Sequence, residues 1–114
     1  TFGAPLSTRQ SIQWMLVDND MDIKQSLWIT LEAAHKAQQG EEFRKEAAMA
    51  KLAATEAGGR VVDRCMQMYG GLGVAKDLPF ERWFREMRIR RIGQGPSEVQ
   101  RHVIARELLG SSLR

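Results

Sequence analysis

Cysteine is almost missing: Cys65 is the only one in 114 residues, so no internal disulfide can form and a reducing compartment is expected. Histidine is nearly as scarce, and His35 and His102 stand far apart without a paired ligand spacing, so no metal centre is expected. No run of about 18 apolar residues occurs, nor a basic-then-apolar leader, so neither a membrane span nor a signal peptide is expected and the cytoplasm is the default placement. Charge of one sign is also lacking, since 17 Lys+Arg against 14 Asp+Glu leave only +3, too small a surplus for nucleic-acid binding unless it is concentrated on one face. No stretch shows the sustained alternation of a β-strand. What remains is a chain with 43% hydrophobic residues, enough for one domain over residues 1–114 with its own core and too short for two.

The few prolines and clustered glycines divide the chain into helices. Ser7-Thr8-Arg9-Gln10 reads as a capping box, with a Ser at the N-cap and a Gln three residues on, which predicts a helix starting there. Ile12, Leu16, Ile23, Leu27, Leu31 and Ala34 form one stripe at helical spacing, and Trp14, Val17, Met21 and Trp28 a second; so wide an apolar arc calls for neighbours on more than one side. Gly40 ends this helix. From Glu41 the pattern resumes as Phe43, Ala47, Ala50, Ala54, Ala57, Val61, Cys65 and Met68, with Glu41, Glu42 and Glu46 where a helix dipole favours negative charge. A helix over 41–69 would span roughly 40 Å and match the first as an antiparallel partner, with the alanines and Gly58-Gly59 permitting close approach. Pro79 suits the first turn of a third helix, to about Arg90, and Pro96 that of a fourth, from Ser97 to Leu109, closed by Gly110. Four helices with short connections predict an all-α antiparallel four-helix bundle.

The break after the second helix carries the strongest motif, Gln67-Met-Tyr-Gly70-Gly71-Leu-Gly73-Val74, followed by Asp77, Arg82 and Glu86. Glycines here let a long helix stop, the chain turn sharply, and backbone N–H groups approach a ligand. Clustered glycines alone signify only a tight turn; the downstream spacing adds information. Order and intervals together resemble a signature of the acyl-CoA dehydrogenase family. The likeness reaches from the opening Thr1-Phe2-Gly3-Ala4-Pro5-Leu6 to Glu98-Val-Gln-Arg101 and Ala105-Arg106-Glu107, nearly the whole chain. Members of that family are longer, with a helical and a β-rich domain ahead of this one, so the resemblance implies a C-terminal helical domain, either a fragment or a product keeping only that domain.

The same resemblance implies FAD as cofactor, with its adenine and diphosphate end lying partly against a neighbouring subunit. Position by position, the contacts implied are Thr1, Phe2, Gln10, Gln67, Gly70, Gly71, Pro96 and Glu98. For Gln10 a capping role competes with flavin contact. Gly93-Gln94-Gly95-Pro96 sits at the start of the last helix, whose positive dipole end and free N–H groups suit a developing enolate oxygen. There the family carries a carboxylate that takes the α-proton of an acyl-CoA thioester while hydride passes from the β-carbon to the flavin. Gln94 occupies that position, and an amide has no useful basicity, so it cannot be the base. Glu98 lies one turn along, but its matching position is tied to flavin contact.

Residues 82–91 mix Trp83 and Phe84 with five arginines, a composition found at phosphate contacts. Glu81 and Glu86 interrupt the basic face, and an ordinary solvated or inter-subunit helix face explains it equally, so no nucleic-acid or membrane partner is expected. The reading is a C-terminal domain of an FAD-dependent acyl-CoA dehydrogenase, catalytically incomplete alone, holding FAD weakly or not at all, and forming a homo-oligomer, with a dimer expected. The competing reading is a stand-alone helical assembly module that retains only the fold.

Overall fold

The structure, a computed structural model, describes residues 2–110. These form four α-helices, α1 (Gln10–Gln38), α2 (Arg44–Tyr69), α3 (Phe80–Ile92) and α4 (Ser97–Leu109), with 3₁₀ turns at Leu6–Thr8 and Gly70–Val74 and no strand among the described residues. The predicted all-α class holds. α2 is the hub: α1 packs along it on one side, and α3 and α4 return along it on the other, within an envelope of 60 × 27 × 24 Å. Among the described residues no helix is long and apolar enough to cross a membrane.

Helix ends follow the punctuation residues more closely than helix starts do. Gly40 has φ 72° and closes α1, its N–H donating to Ala37 O and that of Glu41 to Lys36 O, which satisfies two of the last carbonyls of the helix. Gly110, at φ 56°, closes α4 in a left-handed conformation. The predicted capping box does not form. α1 starts at Gln10, behind an Arg9 that caps with no side chain, because Pro5 initiates a tight turn in which the Thr8 hydroxyl donates to Pro5 O at 2.7 Å. Short hydroxyl side chains take the nearest free carbonyl, and here that carbonyl is in the turn. α2 likewise begins at Arg44, which leaves Glu41 and Glu42 ahead of the helix and only Glu46 in its first turn.

The α1–α2 seam corrects the predicted facing of α1. The α1 residues withdrawn from solvent are Ile12, Met15, Asn19, Asp22, Ser26, Ile29, Ala33 and Lys36, alternating in steps of three and four. That is the 3.5-residue period of a coiled-coil seam, and its centre is polar. Arg60 holds the Asp22 carboxylate through two bonds of 2.8 and 3.1 Å, and Arg64 Nη1 reaches Asp22 Oδ2 at 2.7 Å and Asn19 Oδ1 at 3.1 Å. Hydrogen bonding from Arg60, reinforced by Arg64, lowers the Asp22 carboxyl to about 2 despite the opposing cost of burial. Further along, Lys36 Nζ meets the buried Glu46 carboxylate at 2.8 Å. Of the two predicted apolar stripes, only Ile12 lies in this seam. The large residues Trp14, Leu16, Val17, Met21, Ile23, Leu27, Trp28 and Leu31 flank it and are 44–65% exposed.

The expected core is correspondingly small: the buried apolar residues among those described are Ala33, Ala48, Ala57 and Val62. Small side chains let α2 be covered on two sides. At Gly58 an added Cβ would fall 2.2 Å from Met87 Cε, so this glycine admits an α3 side chain, whereas Gly59 faces open space and supports no close approach.

Candidate functional site

The glycine signature forms the end of α2. Gly70 adopts φ 62° and ψ −139°, a region open to glycine alone, and the chain then makes the 3₁₀ turn Gly70–Val74. Gly73 is buried in that turn with its Cα facing the α2 backbone, so an added Cβ would lie 2.4 Å from Met66 O. Gly71 differs from both: it is exposed, has no left-handed φ, and a Cβ there would meet nothing within 4 Å. Folding therefore accounts for Gly70 and Gly73 but not for Gly71. Beside it runs an open groove of about 350 Å³, lined by Asp63, Met66, Gln67, Gly70, Val74 and Phe84. Two alanine substitutions separate these roles. Gly73→Ala is expected to destabilise the chain by about 1–3 kcal/mol, as overpacking against backbone does, and Gly71→Ala by no more than about 0.5 kcal/mol, both read from urea denaturation.

The antiparallel register, with Asn19 opposite Arg64 and Asp22 opposite Arg60, brings the start of α1 to the same end of the molecule. Gln10, the first residue of α1, is there and is exposed, and Phe2, eight residues before it in the chain, is 94% exposed with φ 53°. Because no side chain caps α1, the capping alternative for Gln10 falls away. Thr1 lies outside the described residues.

Gln94, Pro96 and Glu98 sit elsewhere. The α3–α4 loop packs on α2 near Lys51, which is about 24 Å along the helix from Gln67 at 1.5 Å per residue. Gln94 has φ 54° and an exposed side chain; Gly95 follows at φ 92°. Lys51 Nζ donates to Gly93 O at 2.6 Å, to Gln94 O at 3.0 Å and also to Gly95 O, and Gln100 Nε2 adds a bond of 3.1 Å to that last oxygen. Five residues along α2, Glu56 accepts from the Ser97 hydroxyl at 2.7 Å and from Arg91 Nη1 at 2.9 Å. The Ser97 bond, then the Arg91 bond, holds the Glu56 carboxyl below the usual range. Pro96 caps α4, and Glu98 is exposed in its first turn.

Of the sequence-derived residues, Gln10, Gln67, Gly70 and Gly71 thus lie at one end, and Gln94, Pro96 and Glu98 at the α3–α4 loop. Sequence reasoning missed Lys51 and Glu56. Their partners are main-chain oxygens and residues about 35–44 positions downstream, and no spacing rule links them. The signature residues Arg82 and Glu86 form a 3.6 Å ion pair one turn apart on the exposed face of α3. Their interval has a structural use.

Comparison with known proteins bears on the domain as a whole. The family profile described as "Acyl-CoA dehydrogenase, C-terminal domain" matches residues 1–109. The short-chain specific acyl-CoA dehydrogenase, mitochondrial, of Bos taurus is 44% identical over 110 residues, covering 96% of this chain and 27% of that protein. The three-dimensional structure of butyryl-CoA dehydrogenase from Megasphaera elsdenii superposes with a TM-score of 0.93 at 37% identity, over 96% of this chain and 28% of that one. An FAD complex of PigA superposes with a TM-score of 0.91 at 27% identity, over 95% of this chain and 28% of the other. The chain therefore spans a little over a quarter of the relatives it matches.

Proposed function

Since the chain belongs to the acyl-CoA dehydrogenase family and is its C-terminal helical domain, we propose that it serves an FAD-dependent oxidation of an acyl-CoA thioester between Cα and Cβ, contributing flavin contacts and a subunit interface. The observation that carries this reading is Gly71, an exposed glycine that neither backbone conformation nor packing requires, beside an open groove lined by Gln67 and Gly70. Such a surface lets a diphosphate approach main-chain N–H groups without meeting a side chain. Phe2 and Gln10 are assigned to the adenine and diphosphate end of this proposed site. FAD, when bound, supplies the hydride acceptor; this chain's part is to hold its distal end. Gln94, Pro96 and Glu98 then belong to the part of the site nearer the acyl thioester, with Gln94 able to hydrogen-bond but not to remove a proton. The one thiol, Cys65, suits a reducing compartment such as the cytoplasm.

Only one end of a flavin site is present, so affinity is expected to be low. Calorimetric titration should give a dissociation constant weaker than about 1 μM, the equivalent of about −8 kcal/mol. Amide signals of Gln10, Gln67, Gly70 and Gly71 should shift as FAD is added. Sub-micromolar binding would show that the site is not divided in this way, and shifts confined to other residues would remove the assignment. The competing reading, an assembly module without flavin chemistry, draws support from the exposed flanks of α1 and predicts no shift at any of these four amides.

A further inference from the structure

A residue outside every motif contacts the main chain all along the α3–α4 loop. An ammonium group has three N–H donors and no acceptor, and Lys51 Nζ directs its donors at the carbonyl oxygens of three consecutive residues, Gly93, Gln94 and Gly95. Three successive carbonyls turned toward one point bring the negative ends of their dipoles together, an arrangement that needs a cation at its centre. The same stretch contains Gln94 at φ 54°, a left-handed conformation that a residue with a Cβ adopts rarely and that persists where the surroundings impose it. Lys51 is half-buried, its stem lying in a groove with Ala47, Ala48, Gln100 and Val103. Both ends of its side chain are therefore committed. The Glu56–Ser97–Arg91 contacts hold the start of α4 separately and do not reach residues 93–95.

We propose that Lys51 is a positioning residue: its ammonium fixes the Gly93–Gly95 backbone and so sets the direction in which the side chain of residue 94 leaves the loop. This rests on the reading that position 94 faces the acyl thioester. A long flexible ammonium suits the task better than arginine, whose planar fork spreads its donors and cannot focus them on three converging oxygens.

The test is amide NMR of the 114-residue chain without FAD or acyl-CoA. Lys51→Met keeps the apolar stem and removes the ammonium. The Gln94 and Gly95 signals are expected to broaden or move to the positions of an unordered loop, while those of the α1–α2 seam stay in place. Lys51→Cys in a Cys65→Ser background should show the same loss, and aminoethylation of the thiol at position 51, which rebuilds an ammonium at nearly the original reach, should restore the loop signals. If either variant unfolds, the comparison before and after aminoethylation decides: return of the loop and helix signals supports the proposal. Loop signals unchanged in Lys51→Met, or still absent after aminoethylation, overturn it. Because no ligand is present, failure here is separable from failure of the functional reading. A loop ordered by Lys51 in a chain whose amides ignore FAD would leave Lys51 in place and remove the acyl-CoA assignment.

Discussion

No acyl-CoA turnover is expected from the 114-residue chain when FAD, a dye acceptor and acyl-CoA substrates of several lengths are supplied, and Gln94→Glu is expected to leave it inactive. An amide cannot accept the α-proton, and loss of a general base alone costs about 10²- to 10⁴-fold. The larger deficit is positional. Gln94 is exposed, on a loop about 24 Å along α2 from the glycine turn, so this side chain is not held in a closed site with the groove beside Gln67 and Gly70. Holding the reactants in place can supply about 7–11 kcal/mol of the barrier, and a restored carboxylate without a held substrate recovers none of it. Within a longer protein carrying this domain, Gln94→Glu should raise the rate only if no other carboxylate already serves as base. Steady dye reduction by the unmodified chain would overturn both the role given to Gln94 and the division of the site.

The sequence displayed helix ends and the glycine turn clearly because both depend on local backbone chemistry. Gly40 and Gly110 each stop a helix in a left-handed conformation, Pro79 and Pro96 each precede one, and α4 runs over the predicted Ser97–Leu109. The start of α1 was misread for an equally local reason, the competing turn at Pro5, whose carbonyl takes the Thr8 hydroxyl. What could not be read locally was which face of α1 meets α2. Large apolar residues mark faces that avoid water, but here they mark the flanks, while Asn19, Asp22 and Ser26 occupy the seam because Arg60, Arg64 and the Ala53 carbonyl meet them from across it. The same limit applies to the candidate site. Gly71 was legible by its place in a motif, whereas Lys51 stands in an alanine-rich helix where a lysine ordinarily signifies solvent exposure.

Those flanks lead to the second large effect: the chain is expected to sediment at micromolar concentration as a dimer or larger. A folded monomer of 12.9 kDa exposes about 6,300 Å² by the usual scaling of surface with mass. This chain exposes 8214 Å². The excess, about 1,900 Å² on one chain, is about twice the roughly 800 Å² that each partner buries in a standard protein interface. Large exposed apolar side chains line α1, with Leu16, Ile23, Leu27 and Leu31 in one stripe and Trp14, Val17, Met21 and Trp28 in another. Contiguous apolar surface beyond a few hundred Å² is uncommon on monomers, and a second copy pairing the same flank through a two-fold axis is the simplest way to cover it. Because these residues take no part in the Asp22–Arg60–Arg64 seam, paired substitutions such as Ile23→Glu with Leu27→Glu, or Val17→Glu with Met21→Glu, should preserve helicity while lowering the sedimenting mass for whichever flank forms the contact. Sedimentation velocity over a tenfold range of concentration is decisive. A single monomeric boundary throughout that range would sink the idea, as would a dimer indifferent to both pairs of substitutions.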